Sequence, residues 1–150
     1  MAITNKEQGV WSLDQVYNKQ MEGDIWEYTA PSAYFAWGYG DGGRLGLNDT
    51  ASRSSPHQIS GTDWSRMGSG AYGVGGIKTD GTLWAWGYNA TGLLGLNDQM
   101  PWPSGGFSSP RQVGTDTTWP TNVKQLSTGY NSSGAIKTDG TLWTWGSNEH

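Results

Sequence analysis

At 150 residues and 16.2 kDa the chain holds one ordinary domain, or a small domain with a short appended element, and two large domains are excluded. A formal net charge of -4, with nine Lys and Arg scattered without a run, excludes the basic stripe that phosphate-backbone binding needs, so no nucleic-acid partner is expected. The absence of cysteine removes disulfides and thiolate metal sites. Leu, Ile, Val and Phe are scarce, but ten Trp and seven Tyr can build a core from few residues, and 24 Gly mark many tight turns. This composition favours an all-β chain over a helical one.

Residues 1–33 read as a separate module. The opening MAITNKEQGV has no apolar signal core and no long apolar run follows, so neither export nor membrane insertion is expected. Ser12 and Gln15 fit a capping box, with Trp11 and Val16 placed as a hydrophobic staple. Leu13, Val16, Tyr17 and Met21 then fall on one helical stripe, and Gly23 is placed to end the helix. A helix of about three turns is marginal alone, so its stripe must be buried. One reading packs it on the β domain behind it. The other makes Trp11, Leu13, Val16, Tyr17, Met21 and Trp26 a docking surface for a partner or a second copy, since these residue types anchor interfaces. DIWEYTAPSAY (24–34) follows as an extended connector broken by Pro31.

From residue 34 the chain repeats itself. YFAWGYGDGGRLGLND (34–49) returns as LWAWGYNATGLLGLND (83–98), and IKTDGTLWAWG (77–87) returns as IKTDGTLWTWG (136–146). The units span 34–82 and 83–141, and a third begins at 142–150. The second is longer by two insertions, in QMPWPSGGF (99–107) and TDTTWPTNVKQL (115–126), and SSPHQI and SSPRQV lie between them. Asp80-Gly81 and Asp139-Gly140 are placed for two-residue hairpin turns, joining Ile77–Thr79 to Thr82–Trp84. In LWAWG both faces are apolar, which marks an inner strand. A strand-rich period of this length indicates a propeller or solenoid whose units cannot bury their faces alone.

The pattern L-W-x-W-G-x-N-x-x-G-x-L-G-L-N-D, followed by S-S-P and a later D-G-T, resembles the repeat of the regulator of chromosome condensation family over residues 34–150. The resemblance implies a β-propeller of four-stranded blades, usually seven, with each repeat feeding two adjacent blades. The expected fold is therefore mainly β, a partial propeller preceded by a short N-terminal helix. The first copy departs at Tyr34-Phe35 and Gly40, as a terminal capping repeat would. Two copies and a fragment cannot close a ring, so a longer polypeptide is expected, with unpaired edges at Trp143 and Trp145 prone to aggregation.

The leading KEQGVWSLDQVYNKQMEGDIWEY looks like the short module that opens many marine bacteriophage structural proteins. The two resemblances together imply a virion protein: the N-terminal part of a tail fibre or appendage, assembled in the host cytoplasm. It would anchor to tail adaptor or nozzle proteins, form a homotrimer, and display a propeller for host attachment. The alternative is a cellular propeller scaffold for protein–protein interaction, of the exchange-factor kind.

No catalytic constellation stands against these readings. GYGDGGRLG (38–46) carries five glycines but lacks the Lys-Ser/Thr of a phosphate loop, and the second copy keeps three of the five. His57 is replaced by Arg111 in the second copy, His150 is terminal, and Asp49 and Asp98 belong to repeated turns. No nucleophile has a neighbouring base, and no enzyme activity, metal or cofactor is expected. The insertion at 99–107 places Met100, Trp102 and Phe107 in a loop, either folded back on its own blade or presented as a contact surface.

Overall fold

The computed structural model describes residues 32–100, 105–121 and 126–148. The helix expected around Trp11–Met21 lies outside them. The described residues all fall in Pro31–His150, one of the two units into which the chain divides.

Among the described residues nine strands form three antiparallel sheets. Strands β1 (Phe35–Gly38) and β2 (Arg53–Gln58) pair as a two-stranded sheet. Strands β3 (Trp64–Ser69), β4 (Gly73–Lys78), β5 (Leu83–Tyr88) and β6 (Gly106–Gln112) form a complete four-stranded meander. Strands β7 (Leu126–Thr128), β8 (Ser132–Ile136) and β9 (Leu142–Gly146) make a third sheet of three. The sequence repeats are therefore out of phase with the sheets: one unit begins in β1, runs through β2, and ends on β3 and β4 of the next sheet.

Strand β5 is an inner strand, as its two apolar faces require: Leu83, Ala85 and Trp86 are buried. Ile77 and Leu83 join Trp119 and Ala135 in one core cluster, and Trp86 joins Ile59 and Trp64 in another. The sheets then pack through glycine. A Cβ on Gly75 of β4 would lie 3.1 Å from the Leu126 side chain of β7, and one on Gly70 only 2.3 Å from the Gly129 carbonyl. Thr128 Oγ1 donates to the Gly68 carbonyl across the same seam (2.7 Å).

The β4–β5 connection corrects the two-residue turn. Lys78 N–H bonds the Thr82 carbonyl (3.0 Å) and Gly81 N–H bonds the Lys78 carbonyl (3.0 Å), which leaves Thr79, Asp80 and Gly81 as a three-residue loop. The physical reason is Asp80. A two-residue type I′ turn needs positive φ at both central residues, whereas here Gly81 alone takes it (φ +79°), with the Asp80 carboxylate accepting from the Thr82 N–H and hydroxyl. Lys137–Thr141 repeats this geometry.

Gly43 offers a direct check on this packing, since a Cβ there would fall 2.4 Å from the Ser108 Cα of β6, whereas at Gly140 it would meet nothing within 4 Å. Both have positive φ. We expect Gly140→Ala to cost about 1 kcal/mol from backbone strain alone and Gly43→Ala about 3 kcal/mol or more, measured by urea denaturation. Equal losses would show that the β6 contact is not tight.

Candidate functional site: an open aromatic surface

The repeated I-K-T-D-G-T-L-W builds a turn-locking device first. Trp84 Nε1 donates to Thr82 Oγ1 (2.8 Å), and that hydroxyl donates to Asp80 Oδ1 (2.6 Å). Lys78 then lies over the Trp84 and Trp64 rings, at 4.5 and 5.1 Å, and pairs with Asp63 (3.0 Å). In the second copy Lys137 lies over Trp143 and Trp119, at 4.2 and 5.2 Å, and pairs with Asp116. The acid and second indole come from different places in the two copies, the latter pair from the 115–126 insertion. A lysine clamped between two indoles holds the turn against its own sheet. Its role is structural.

Hydrogen bonds from Thr82, side chain and backbone, hold the Asp80 carboxyl below the usual carboxylate range, and Thr141 does the same for Asp139. Lys137 depresses Asp116 further. These carboxylates stay ionised in the folded chain at pH values where the unfolded chain protonates them, so their stabilisation is present above about pH 4 and is lost as pH falls below it. Asp116→Asn should flatten that loss. The check is the change in urea midpoint between pH 7 and pH 3, which should be smaller in the variant than in the parent chain.

What remains open to a partner is aromatic. Phe35, Trp37 and Tyr39, on and just after β1, are 52%, 60% and 66% exposed, and Tyr130, Leu142 and Trp143 are at least half exposed elsewhere. The contrast with the other copies is informative. Trp86 and Trp145 occupy the position of Trp37 one and two strand sets later; Trp86 is fully buried and Trp145 is packed into the core. Between β1 and β3 runs a groove of about 480 Å³, lined among others by Phe35, Trp37, Tyr39, Arg44 and Met67.

A cation–aromatic ledge borders the groove. The Arg44 guanidinium sits 5.1 Å from the Tyr39 ring and 5.2 Å from Tyr72, and donates to the Asp41 and Ala71 carbonyls (2.8 and 2.9 Å). Tyr72 packs edge-on to Tyr130 (4.6 Å), and their hydroxyls are 2.9 Å apart. That hydrogen bond raises the Tyr130 phenol above its ordinary value, so the ledge carries one positive charge and neutral rings.

The residues singled out from sequence are placed as follows. Trp11, Leu13, Val16, Tyr17, Met21, Trp26 and Trp102 lie outside the described residues. Met100 closes the 89–100 loop, its N–H on the Asn89 carbonyl (3.1 Å). Phe107 is in β6 and not in a loop: it pairs with Gly87, packs on the cluster of Ala85, Leu93 and Leu94, and lies under Arg111 (3.9 Å). His57 is in β2, its Nδ1 2.9 Å from the Ser55 carbonyl. Among the described residues no group of His, Asp and Glu could hold a metal ion, and no helix is long and apolar enough to cross a membrane. Arg44 and Tyr39 were not singled out; the signal was the exchange of Leu93 in the second copy for Arg44 in the first.

Comparison with known proteins assigns the repeats. The model of the regulator of chromosome condensation (RCC1) repeat matches residues 33–74 and 80–136, and a second model of that repeat matches 123–150. The chain belongs to the RCC1 repeat family. Its described part is accordingly a stretch of RCC1-like propeller. Among solved structures it resembles Prp20p from Saccharomyces cerevisiae, described with its binding to Gsp1p and histones (TM-score 0.60, 21% identity, 75% of this chain and 26% of that one). It likewise resembles yeast RCC1 (Prp20) bound to Kap60 (TM-score 0.63, 21% identity, 77% and 26%) and human WBSCR16 (TM-score 0.62, 21% identity, 77% and 29%). The chain thus spans little more than a quarter of each. No curated protein sequence matches it.

Proposed function

We propose that this RCC1-repeat chain is a protein–protein interaction module that takes its partner at the groove beside β1. The observation that carries the reading is Trp37: of the equivalent indoles Trp86 is fully buried and Trp145 is partly buried against a core cluster, whereas this one is 60% exposed, with Phe35 and Tyr39 exposed as well. Exposed apolar groups concentrated at one place mark contact sites, and the side of β1 that has no strand partner among the described residues offers main-chain groups for strand addition. Family likeness points the same way, since the yeast neighbour is described binding Gsp1p and histones, and a second structure holds it with Kap60.

The finer form of this proposal places the module in a bacteriophage virion. It rests on the G-V-W-x-L-x-x-V-Y opening of residues 9–17, which resembles the leading module of phage structural proteins. In that form Trp11, Leu13, Val16, Tyr17, Met21 and Trp26 dock the chain to tail adaptor or nozzle proteins as a trimer. The propeller is then carried outward toward a host receptor.

A photo-crosslinking residue in place of Trp37 tests the broader reading. In the cell that makes the chain it should yield a discrete adduct with another protein, which the same group at Gly114 does not; no adduct at position 37 would count against it. Mass spectrometry of purified particles tests the finer one. Peptides of this chain among particle proteins are expected, and their absence would retire the virion role while leaving the scaffold.

A further inference from the structure

The ring pair Tyr72–Tyr130 is not a product of the repeat. The two hairpin turns that carry it are equivalent: Gly70 N–H bonds the Gly73 carbonyl between β3 and β4, and Gly129 N–H bonds the Ser132 carbonyl between β7 and β8, both at 2.8 Å. The turns read GAYG (70–73) and GYNS (129–132), so the two tyrosines stand at different positions, with Asn131 and Ala71 as their respective counterparts. The pair therefore arises from two places at which the copies differ.

Backbone contacts fix the two turns against each other below the rings. A Cβ on Gly70 would lie 2.3 Å from the Gly129 carbonyl, Thr128 Oγ1 bonds the Gly68 carbonyl, and Arg44 holds the Ala71 carbonyl. The rings held there are the closest aromatic pair among the described residues, with centroids 4.6 Å apart, an interplanar angle of 71° and hydroxyls 2.9 Å apart. Aromatic pairs span about 4.5–7 Å, so this one stands at the short limit. Tyr88, on the other side of Tyr72, is 5.7 Å away. Because the hydroxyls are closer than the centroids, the rings converge at their phenolic ends, where the carbons ortho to each hydroxyl lie. In an ortho–ortho linked biphenol the centroids are separated by two ring radii and one C–C bond, and the two hydroxyls are hydrogen-bonded to each other. The resting pair comes close to both conditions. Tyr130 is 61% exposed, within reach of an oxidant in solution, and the chain has no cysteine to take the oxidation first.

We propose that Tyr72 and Tyr130 form a modification site at which a haem peroxidase, using hydrogen peroxide, joins the two rings and staples the β3–β4 turn to the β7–β8 turn. Each phenol gives up one electron and its hydroxyl proton, and the two phenoxyl radicals couple through one ortho carbon of each ring. The hydrogen on each of those carbons then leaves as a proton while the ring regains aromaticity, and each phenolic oxygen is reprotonated. Overall two C–H bonds break, one C–C bond forms, and the two hydrogens reduce one hydrogen peroxide to two waters. The fold supplies proximity, which converts a bimolecular coupling into one within the chain. The link closes the segment 72–130 across the seam between the two sheets, and it does not depend on what the β1 groove binds.

The test treats the whole chain with a haem peroxidase and hydrogen peroxide and then digests it with trypsin. Cleavage after Lys and Arg gives peptides 67–78 and 125–137, each with one tyrosine. The expected product is these two joined, lighter than their sum by two hydrogens and fluorescent as a linked biphenol, from a chain that still runs as a monomer on a denaturing gel. Treatment of the chain unfolded in urea should cut the yield at least about tenfold, since the fold supplies the proximity. Tyr130→Phe keeps the ring but not the phenol and should abolish the product, whereas Tyr88→Phe should leave it. The linked chain should melt about 10 °C above the unlinked one, because a cross-link over a segment of this length constrains the unfolded chain. Absence of the linked pair, an equal yield in urea, a link from Tyr72 to Tyr88 in its place, or links only between separate chains would overturn the site. An unchanged melting temperature would overturn its role as a staple.

Discussion

An indole seated against a glycine of the preceding repeat is the contact on which the stack of sheets depends. A Cβ on Gly46 would lie 2.6 Å from Trp86 Nε1, and one on Gly95 would lie 2.9 Å from Trp145 Nε1. Both glycines have positive φ, so the position is doubly restricted, by backbone conformation and by space. Burying one indole contributes up to about 5 kcal/mol of apolar transfer free energy, which in a chain poor in aliphatic residues is a large single term. The polar end is treated differently in the two copies. Trp145 donates to the Leu93 carbonyl (2.9 Å), whereas Trp86 Nε1 is buried with no hydrogen-bond partner among the described residues. Leaving that donor unpaired costs about 1–3 kcal/mol, less than the packing contributes, so packing and not the hydrogen bond holds the seam.

This contact explains why the period was legible and the detail was not. L-W-x-W-G and G-x-L-G recur because each tryptophan needs a glycine one repeat back, a constraint that survives in one dimension as spacing. The inner character of β5 followed from its two apolar faces for the same reason. The three-residue Asp80 turn did not follow, because Asp-Gly satisfies both a two-residue turn and a longer loop closed by Gly81. Only the Thr82 bonds to the Asp80 carboxylate decide between them. Phe107 reads as a loop residue only while 99–107 is taken as one block, and β6 starts inside that block at Gly106.

The insertion at 115–126 shows what pattern reading misses altogether. The Trp119 side chain is buried (the residue is 6% exposed) and lies edge-on to Trp145 at 6.4 Å, while the Trp119 backbone N–H bonds the Gly81 carbonyl (3.2 Å). It covers the turn that ends β4. It also stands over Lys137, as Trp64 stands over Lys78, although the two indoles occupy unrelated positions in the repeat. A clamp assembled from non-equivalent residues leaves no periodic trace, so in the sequence the lysines are only part of a scatter of charge without a run.

The departures of the first repeat are better understood as construction than as decay. Where the second loop is pinned by Asn89, fully buried and bonded to Asp98 and to the Leu94 N–H, the first has Gly40. There the backbone itself closes the gap: a Cβ on Gly40 would sit 2.2 Å from the Ala51 carbonyl, and Gly40 N–H donates to Ser52 Oγ (3.2 Å). Four residues on, the buried Leu93 of the second copy is replaced by Arg44, which reaches out to the Ala71 carbonyl and the Tyr39 ring. An interior leucine position has become the cation of a surface ledge. The two exchanges are coupled, because a loop closed by backbone contact at Gly40 stays fixed without the apolar anchor that Leu93 supplies. A repeat whose only task was to cap the stack would cover Trp37 or dispense with it. This one keeps the indole exposed on the same groove that Arg44 lines, with the Arg44 charge held over the Tyr39 and Tyr72 rings.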